Sequence, residues 1–414
     1  MTRPYDLIVY GATGDLGRLV TQYLWAQQHS ALRWAIAGRN GVKLRTLAGS
    51  FQDADPKCTA PEVVVAALNQ EELEHMASLT RVVLNTVGPF CIHGTPVVAA
   101  CIRHSTAYID SSGEHVWSHY LATEYHDQAV ARNAIIIPHC AIESSPPDLL
   151  AQMLVQKLQR PAGPVVFTID HDSAGSSSGT INSVVTSLAA YSMRQIMTAS
   201  AAQAFCVAGA GPHRPYTAPL VPVRRDPFLG NLEFNLSATT DEAVVMRSWS
   251  LHQRYGKRTE QYGERFSFRS YATARNWLQG WFSFFKIGLA TILAILLPPL
   301  RWHLMSLALG LGTGPHGSPT GRHFVEWRAT IADGAGKPAM MGVLRMNTDA
   351  YSACSVLVSE AALTVLHQLD REKSDSLAQR LGGGILTPAA LGPEFLERLQ
   401  AAGMERTVIS LEKD

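Results

Sequence analysis

Near its start the chain runs an apolar stretch, Asp6-Leu7-Ile8-Val9-Tyr10, into the turn Gly11-Ala12-Thr13-Gly14-Asp15-Leu16-Gly17. No other feature constrains the fold so tightly. The stretch has the length and apolarity of a strand buried in a parallel sheet. After it, Leu16, Val20, Tyr23 and Leu24 recur at helical spacing. The order strand, glycine turn, helix leaves backbone N–H groups free at a helix N-terminus, where the dipole is positive and a pyrophosphate binds. Gly11 permits the tight turn, Gly14 the close approach of the phosphates, and Gly17 the packing of helix on strand. A lone glycine turn is often only a turn. On the first strand of an alternating chain it predicts a dinucleotide site, with Gly11, Thr13, Gly14, Leu16 and Gly17 around the pyrophosphate.

The second strand selects the cofactor. Residues 33–37 lead to Gly38-Arg39-Asn40, where a site for NAD would place Asp or Glu to hold the ribose 2′-OH. Arg39 stands there instead, with Lys43 one helical turn on. Two cations suit a 2′-phosphate, and a guanidinium matches phosphate geometry. The expected cofactor is therefore NADPH; the plain alternative is a solvated arginine at a strand end.

Strand and helix keep alternating. Strands are expected over 63–67, 81–87, 107–110 and 134–138, with helices over 70–78 and 95–104, the latter begun by Pro96 near its first turn. The fourth strand ends in Asn85-Thr86-Val87-Gly88-Pro89 at the carboxyl edge of the sheet, where ligands bind. Asn85, Thr86, Gly88 and Pro89 are expected to line the ribose–nicotinamide side. The fifth strand reaches Asp110 and then Glu114 at the same edge. Two carboxylates there could orient a substrate or relay a proton, with Glu114 the candidate for a polar role on the substrate side. The plain reading is Asp110 capping a turn and Glu114 in solvent. Ser144 or Ser145, followed by proline, reads as a helix N-cap. This alternation over residues 1–145 predicts an α/β fold, a doubly wound parallel Rossmann sheet.

At 414 residues the chain is too long for one ordinary core. A second α/β domain is expected over 146–345, and a helical C-terminal segment, 346–414, packing back on the first. The net charge of +1 gives no electrostatic footprint for nucleic acid. None of the six cysteines lies two to four residues from another, so no zinc spacing exists and no metal is expected; reduced, mostly buried thiols of an intracellular protein are. The N-terminus shows no apolar leader.

Several of these motifs, in this order, resemble one family. Gly11-Ala12-Thr13-Gly14 with Gly17, Ala37-Gly38-Arg39, Val83 to Pro89, Tyr108-Ile109-Asp110 with Gly113-Glu114, and Ser144, Pro146 and Asp148 are similar to saccharopine-dehydrogenase-like oxidoreductases. The branch is that of the trans-acting enoyl reductases of bacterial complex-lipid synthesis. Gly179-Thr180, Tyr262-Gly263 with Phe266, and Gly382 to Ala389 extend the likeness over most of the chain. It departs at Ala141-Ile142-Glu143-Ser144-Ser145-Pro146, where the family has Gly-Phe/Tyr-Asp-Ser-hydrophobic-Pro, and at residues 314–321, where an acidic stretch is missing. The resemblance implies a Rossmann domain, an α/β second domain and reductase activity; the departures point to a shifted substrate.

An uninterrupted apolar run covers Ile287 to Leu297, preceded by Trp281-Phe282-Ser283-Phe284-Phe285-Lys286. A spanning helix needs about 20 apolar residues, so a buried or interfacial segment is expected. Residues 281–300 then serve a peripheral membrane contact, a tunnel for an apolar substrate, or a homodimer contact.

Three functions stay open. The first is NADPH-dependent reduction of a C=C bond on a small-molecule or carrier-bound apolar substrate, polyketide or lipid-like. The second is oxidoreduction of a C–N bond, which would need a cationic carboxylate site; Arg224, Arg225 and Arg322 form no clear motif for it. The third is a non-catalytic Rossmann protein on a membrane or lipid droplet. The compartment is accordingly cytoplasmic or peripheral on a lipid surface. Short-chain dehydrogenase chemistry is excluded because none of the 12 tyrosines has Lys four residues on.

Overall fold

Alternating apolar runs and helices build two sheets. The structure is a computed structural model that describes residues 3–27, 32–54, 60–171, 178–201, 203–215, 221–309, 323–371 and 375–412. The chain divides into two compact units: 1–112, 120–142 and 351–399 form the first, and 113–119, 143–350 and 400–414 the second.

The first unit holds β1 (Tyr5–Tyr10), β2 (Trp34–Gly38), β3 (Glu62–Val65), β4 (Thr80–Asn85), β5 (Ala107–Asp110) and β6 (Ile135–Ile137). Between them run α1 (Asp15–Ala26), α2 (Gly41–Ala54), α3 (Gln70–Leu79), α4 (Phe90–Arg103), α5 (His115–Glu124) and α6 (His126–Ala131). All these strands pair in parallel, in the spatial order β3-β2-β1-β4-β5-β6. That order reverses direction at β1, so the crevice beside its carboxyl end is the switch point where ligands bind. Leu7, Ile8, Val9, Val82, Val83 and Leu84 have no exposed surface. Burying each such side chain contributes about 1.5–3 kcal/mol. A short later strand, Gly384–Ile385, adds to the open edge at β6.

The second unit is a mixed sheet of β7 (Ala162–His171), β8 (Arg224–Asp226), β9 (Gly230–Phe234), β10 (Ser267–Thr273), β11 (Val325–Asp333) and β12 (Pro338–Met346). Numbering the Gly384–Ile385 strand β13, β14 (Glu405–Ser410) completes it in the order β14-β12-β11-β7-β10-β9-β8. Only β7 and β10 pair in parallel. Its helices are α7 (Ser145–Leu158), α8 (Ser178–Ala190), α9 (Met193–Ala199), α10 (Ala238–Tyr255), α11 (Trp277–Leu296) and α12 (Arg301–Leu309). From α13 (Ala350–Leu369), α14 (Leu377–Leu381) and α15 (Pro393–Ala401) the chain returns through the first unit before β14.

Two local expectations needed correction, and a third was narrowed. α4 starts at Phe90, capped by Pro89, so Pro96 stands inside it. Burial of Phe90, Val97, Val98 and Cys101 carries the helix past the missing N–H. Ser144 precedes α7 without a side-chain cap, because its hydroxyl donates to Asp241 instead. The apolar segment is one 20-residue helix, α11, and most of it is not buried. Cys101 and Cys140 are buried and Cys91, Cys206 and Cys354 partly so; Cys58, Arg322 and residues 314–321 lie outside the described residues.

Candidate cofactor site and buried acid cluster

The glycine turn lies between β1 and α1. Gly11 has φ +90°, and a Cβ there would come 2.7 Å from Val87 Cγ2. A Cβ at Gly17 would come 2.2 Å from the Gly11 carbonyl oxygen. Both glycines are therefore demanded by the protein's own packing. Gly14 differs: its Cβ would meet only the Gly11 carbonyl, at 3.4 Å. It is the N-cap of α1, exposed, in extended backbone and with no side-chain cap. The first-turn N–H groups of α1 thus lack an intrahelical partner and face an open approach. That arrangement fits a dinucleotide pyrophosphate. Thr13 and Leu16 are half-buried beside it, and Arg18 Nε donates to the Thr13 carbonyl at 3.2 Å.

Arg39 and Lys43 are exposed at the carboxyl end of β2 and the start of α2. Asn40 Oδ1 accepts from the Lys43 N–H at 3.0 Å. A third cation belongs here: Arg45 folds back over Gly41, its Nη1 lying 3.2 Å from where a Cβ would stand. Sequence reading passed over Arg45; its place one helical turn after Gly41 was the available signal.

At the end of β4, Asn85 is fully buried, and both ends of its amide are occupied. Its Oδ1 accepts from Val87 N–H at 2.9 Å and its Nδ2 donates to the Tyr108 hydroxyl at 3.0 Å. Thr86 Oγ1 donates to the Tyr10 carbonyl at 3.0 Å. Asn85 thus shapes the turn, while Gly88, exposed, and Pro89, half-buried, form its surface.

The Asn85 bond opens a buried chain. Tyr108 donates to Asp110 Oδ2 at 2.8 Å. Asp110 Oδ1 accepts from the Ser112 hydroxyl, the Ser112 N–H and the His139 N–H at 2.7, 2.9 and 3.0 Å. Asp110 caps a turn, as the plain reading held, but in full burial. Burial lifts its pKa to about 6 against these donors, from 3.8. The folded state therefore holds this proton more tightly than the unfolded chain. Its contribution to stability is fully present below about pH 4 and is lost as pH rises to about 6, by about 3 kcal/mol. The unfolding free energy of Asp110→Asn, subtracted from wild type by urea titration, should accordingly change across that window; a constant difference contradicts it.

In the second unit, Glu114 is buried, 5% exposed, rather than in solvent. Close by in the same unit, Glu143 Oε2 lies 2.5 Å from where a Gly113 Cβ would stand, so glycine there makes room for this carboxyl. Withdrawal from water raises the Glu143 pKa, and a hydrogen bond from Ser237 opposes the rise. Fully buried Asp241 accepts from Ser270 Oγ at 2.7 Å, Ser144 Oγ at 3.1 Å and Asn235 Nδ2 at 3.1 Å. Burial first, then Glu143, holds its pKa well above the carboxylate range. Glu242 is neutralised differently, by Arg269 at 2.6 Å. The pair Glu143 and Asp241 is thus biased toward carrying a proton at a pH where ordinary carboxyls are ionised.

Residues 7–137 match the family model of the saccharopine dehydrogenase NADP-binding domain. A Mycobacterium tuberculosis protein named as a putative trans-acting enoyl reductase is 31% identical over 420 residues, covering 97% of each chain. The chain belongs to the trans-acting enoyl reductase family. A further member, from Mycobacterium leprae, is 29% identical, again over 97% of both chains. The solved saccharopine dehydrogenase (L-Glu forming) of Saccharomyces cerevisiae superposes with TM-score 0.54, covering 98% of this chain and 100% of its own, at 10% identity. That likeness establishes the fold. The first unit is an NADP-binding Rossmann domain, and the chain is an NADP-dependent oxidoreductase.

Sequence reading missed the Glu143–Asp241 pair, although the departure at residues 141–146 pointed at its first member. Asp241 is almost 100 residues further on, and only folding joins them. Of the cations considered for C–N chemistry, Arg224 is paired with Asp226 at 3.0 Å.

Proposed function

We propose that this protein reduces an enoyl C=C bond with NADPH, acting in trans on a carrier-bound or free polyketide or lipid-like chain. The observation that carries the reading is full-length similarity to enoyl reductases together with an open, uncapped glycine turn and cations in place of the ribose-binding acid. Gly11, Thr13, Gly14, Leu16 and Gly17 hold the pyrophosphate; Arg39 and Lys43, joined by Arg45, hold the 2′-phosphate; Thr86, Gly88 and Pro89 line the ribose–nicotinamide side, on a turn braced by Asn85. Bound there, NADPH would supply the hydride for the β-carbon of the enoyl group. The electron pair released onto the α-carbon and carbonyl needs a proton. Glu143 is the acid we assign to the α-carbon: its carboxyl gives up its proton, becomes a carboxylate beside Ser237, and is recharged from solvent. Asp241, kept neutral by burial, adds no repulsion to that carboxylate. Glu114 takes a polar contact with the substrate.

The test is oxidation of NADPH, followed at its nicotinamide absorbance, with an α,β-unsaturated acyl thioester and with a cyclic imine. Turnover of the thioester alone, with reduced product by mass spectrometry, is expected. Turnover of the imine alone overturns the reading in favour of C–N chemistry.

A further inference from the structure

Between Glu264 and Glu326 the sequence contains no acidic residue, yet it carries Arg265, Arg269, Arg275, Lys286, Arg301 and Arg322. With a net charge of +1 overall, the rest of the chain is acidic on balance. This stretch is basic, and α11 lies in it.

The inner face of α11 is committed. Gly280, Ala290 and Ala294 are its buried residues. A Cβ at Gly280 would lie 3.0 Å from Val223 Cγ1 and 3.2 Å from Glu233 Cβ, so the helix sits closely on the second sheet. Ala294 packs with Ile181 of α8 and Met305 of α12. A helix held this way lies along the surface of its unit and does not cross a bilayer.

Among the described residues, nothing covers the outer face. Leu278, Phe282, Phe285, Leu289, Ile292 and Leu296 are 72, 69, 63, 59, 56 and 68% exposed. Their spacing, alternating four and three residues, keeps them on one stripe. Together they present about 600 Å² of apolar surface, at the top of the range of about 300–600 Å² for the largest patch on a monomer. Leu307 of α12, 78% exposed, belongs to the same unit.

We propose that α11 docks flat on an anionic lipid bilayer, its apolar stripe in the headgroup–acyl boundary and Arg275, Lys286 and Arg301 toward the lipid phosphates. Charge decides the occupant. Apolar residues with flanking cations and no acid over this whole stretch match a negatively charged lipid surface. A second copy of the chain could cover a stripe of this spacing. A symmetric pairing of α11 with itself, however, would bring the basic stretch against itself. The exposed apolar set also runs wider than one seam, to Trp277, Ile295, Leu297 and Leu300.

The experiment is flotation of the full chain with vesicles of phosphatidylcholine alone and of equal parts phosphatidylcholine and phosphatidylglycerol, with light scattering of the free protein in parallel. Flotation with the mixed vesicles, reduced by salt, is expected. The triple variant Phe282→Ser, Phe285→Ser, Leu289→Ser should lose about 100-fold or more in partitioning. The pair Arg275→Glu, Lys286→Glu, at two exposed cations of which Lys286 also interacts with Glu233, should lose about tenfold or more on the mixed vesicles. NADPH binding as in wild type checks that each variant is folded. Absence of flotation by the wild type, equal flotation of the charge-reversed pair, or a dimer that the triple variant turns into monomers without any vesicle binding overturns the proposal.

Discussion

Arg39→Ala should weaken NADPH binding by about 100-fold while leaving NADH within about twofold. A 2′-phosphate carries two charges' worth of interaction that NADH lacks, and a guanidinium meets it through paired, charge-assisted hydrogen bonds. The site is exposed, so water and Lys43 and Arg45 recover part of the loss. Removing Lys43 alone should therefore cost less than removing Arg39. Titration of nicotinamide fluorescence with both dinucleotides measures this directly. Equal losses for the two would show that Arg39 supports the strand end and not the phosphate.

The second large effect is expected at the acid. Glu143→Gln keeps the size of the side chain and its bond from Ser237 but removes the transferable proton. Turnover of the enoyl thioester should drop by about 100- to 10,000-fold, the usual contribution of a positioned general acid, with NADPH affinity unchanged. The wild-type rate should fall as pH rises through the pKa of Glu143, which burial raises from its usual value. The residual rate of the glutamine variant should have lost that limb. A variant that is slow but keeps the wild-type pH profile would move the proton to another group. Because NADPH binding is measured separately, a failure of Glu143 is distinguishable from a failure of the cofactor site.

The two predictions differ in how far they could be foreseen. Arg39 was legible because the dinucleotide-binding unit is local: strand, turn, helix and second strand lie within the first 43 residues, and each position has a separate geometric duty. The parallel sheet was legible for the same reason, since short apolar runs separated by helices allow little else. Glu143 was visible only as an oddity in a motif. Its chemistry depends on Gly113, Ser237 and Asp241, which come from distant parts of the chain. Asn85 shows the opposite case. Its place at a strand end suggested a ligand contact, and tertiary hydrogen bonds to Val87 and Tyr108 use both ends of its amide.

The apolar segment divides along the same line. Composition showed only that an apolar run, Ile287 to Leu297, follows an aromatic cluster; that residues 277–296 form one helix was decided by the tertiary structure, since glycine, tryptophan, phenylalanine and isoleucine are modest or poor helix formers. Which side of it meets protein was decided by three small residues, Gly280, Ala290 and Ala294, that allow close approach to β9, α8 and α12. The large residues were thereby left outside. By itself, then, the sequence determined the sheet, the glycine turn and the preference for a phosphorylated dinucleotide, since these rest on backbone geometry and charge within short spans. Only the tertiary structure decided which carboxyls keep their protons and which apolar face stays bare, because burial is a property of what the rest of the chain brings alongside.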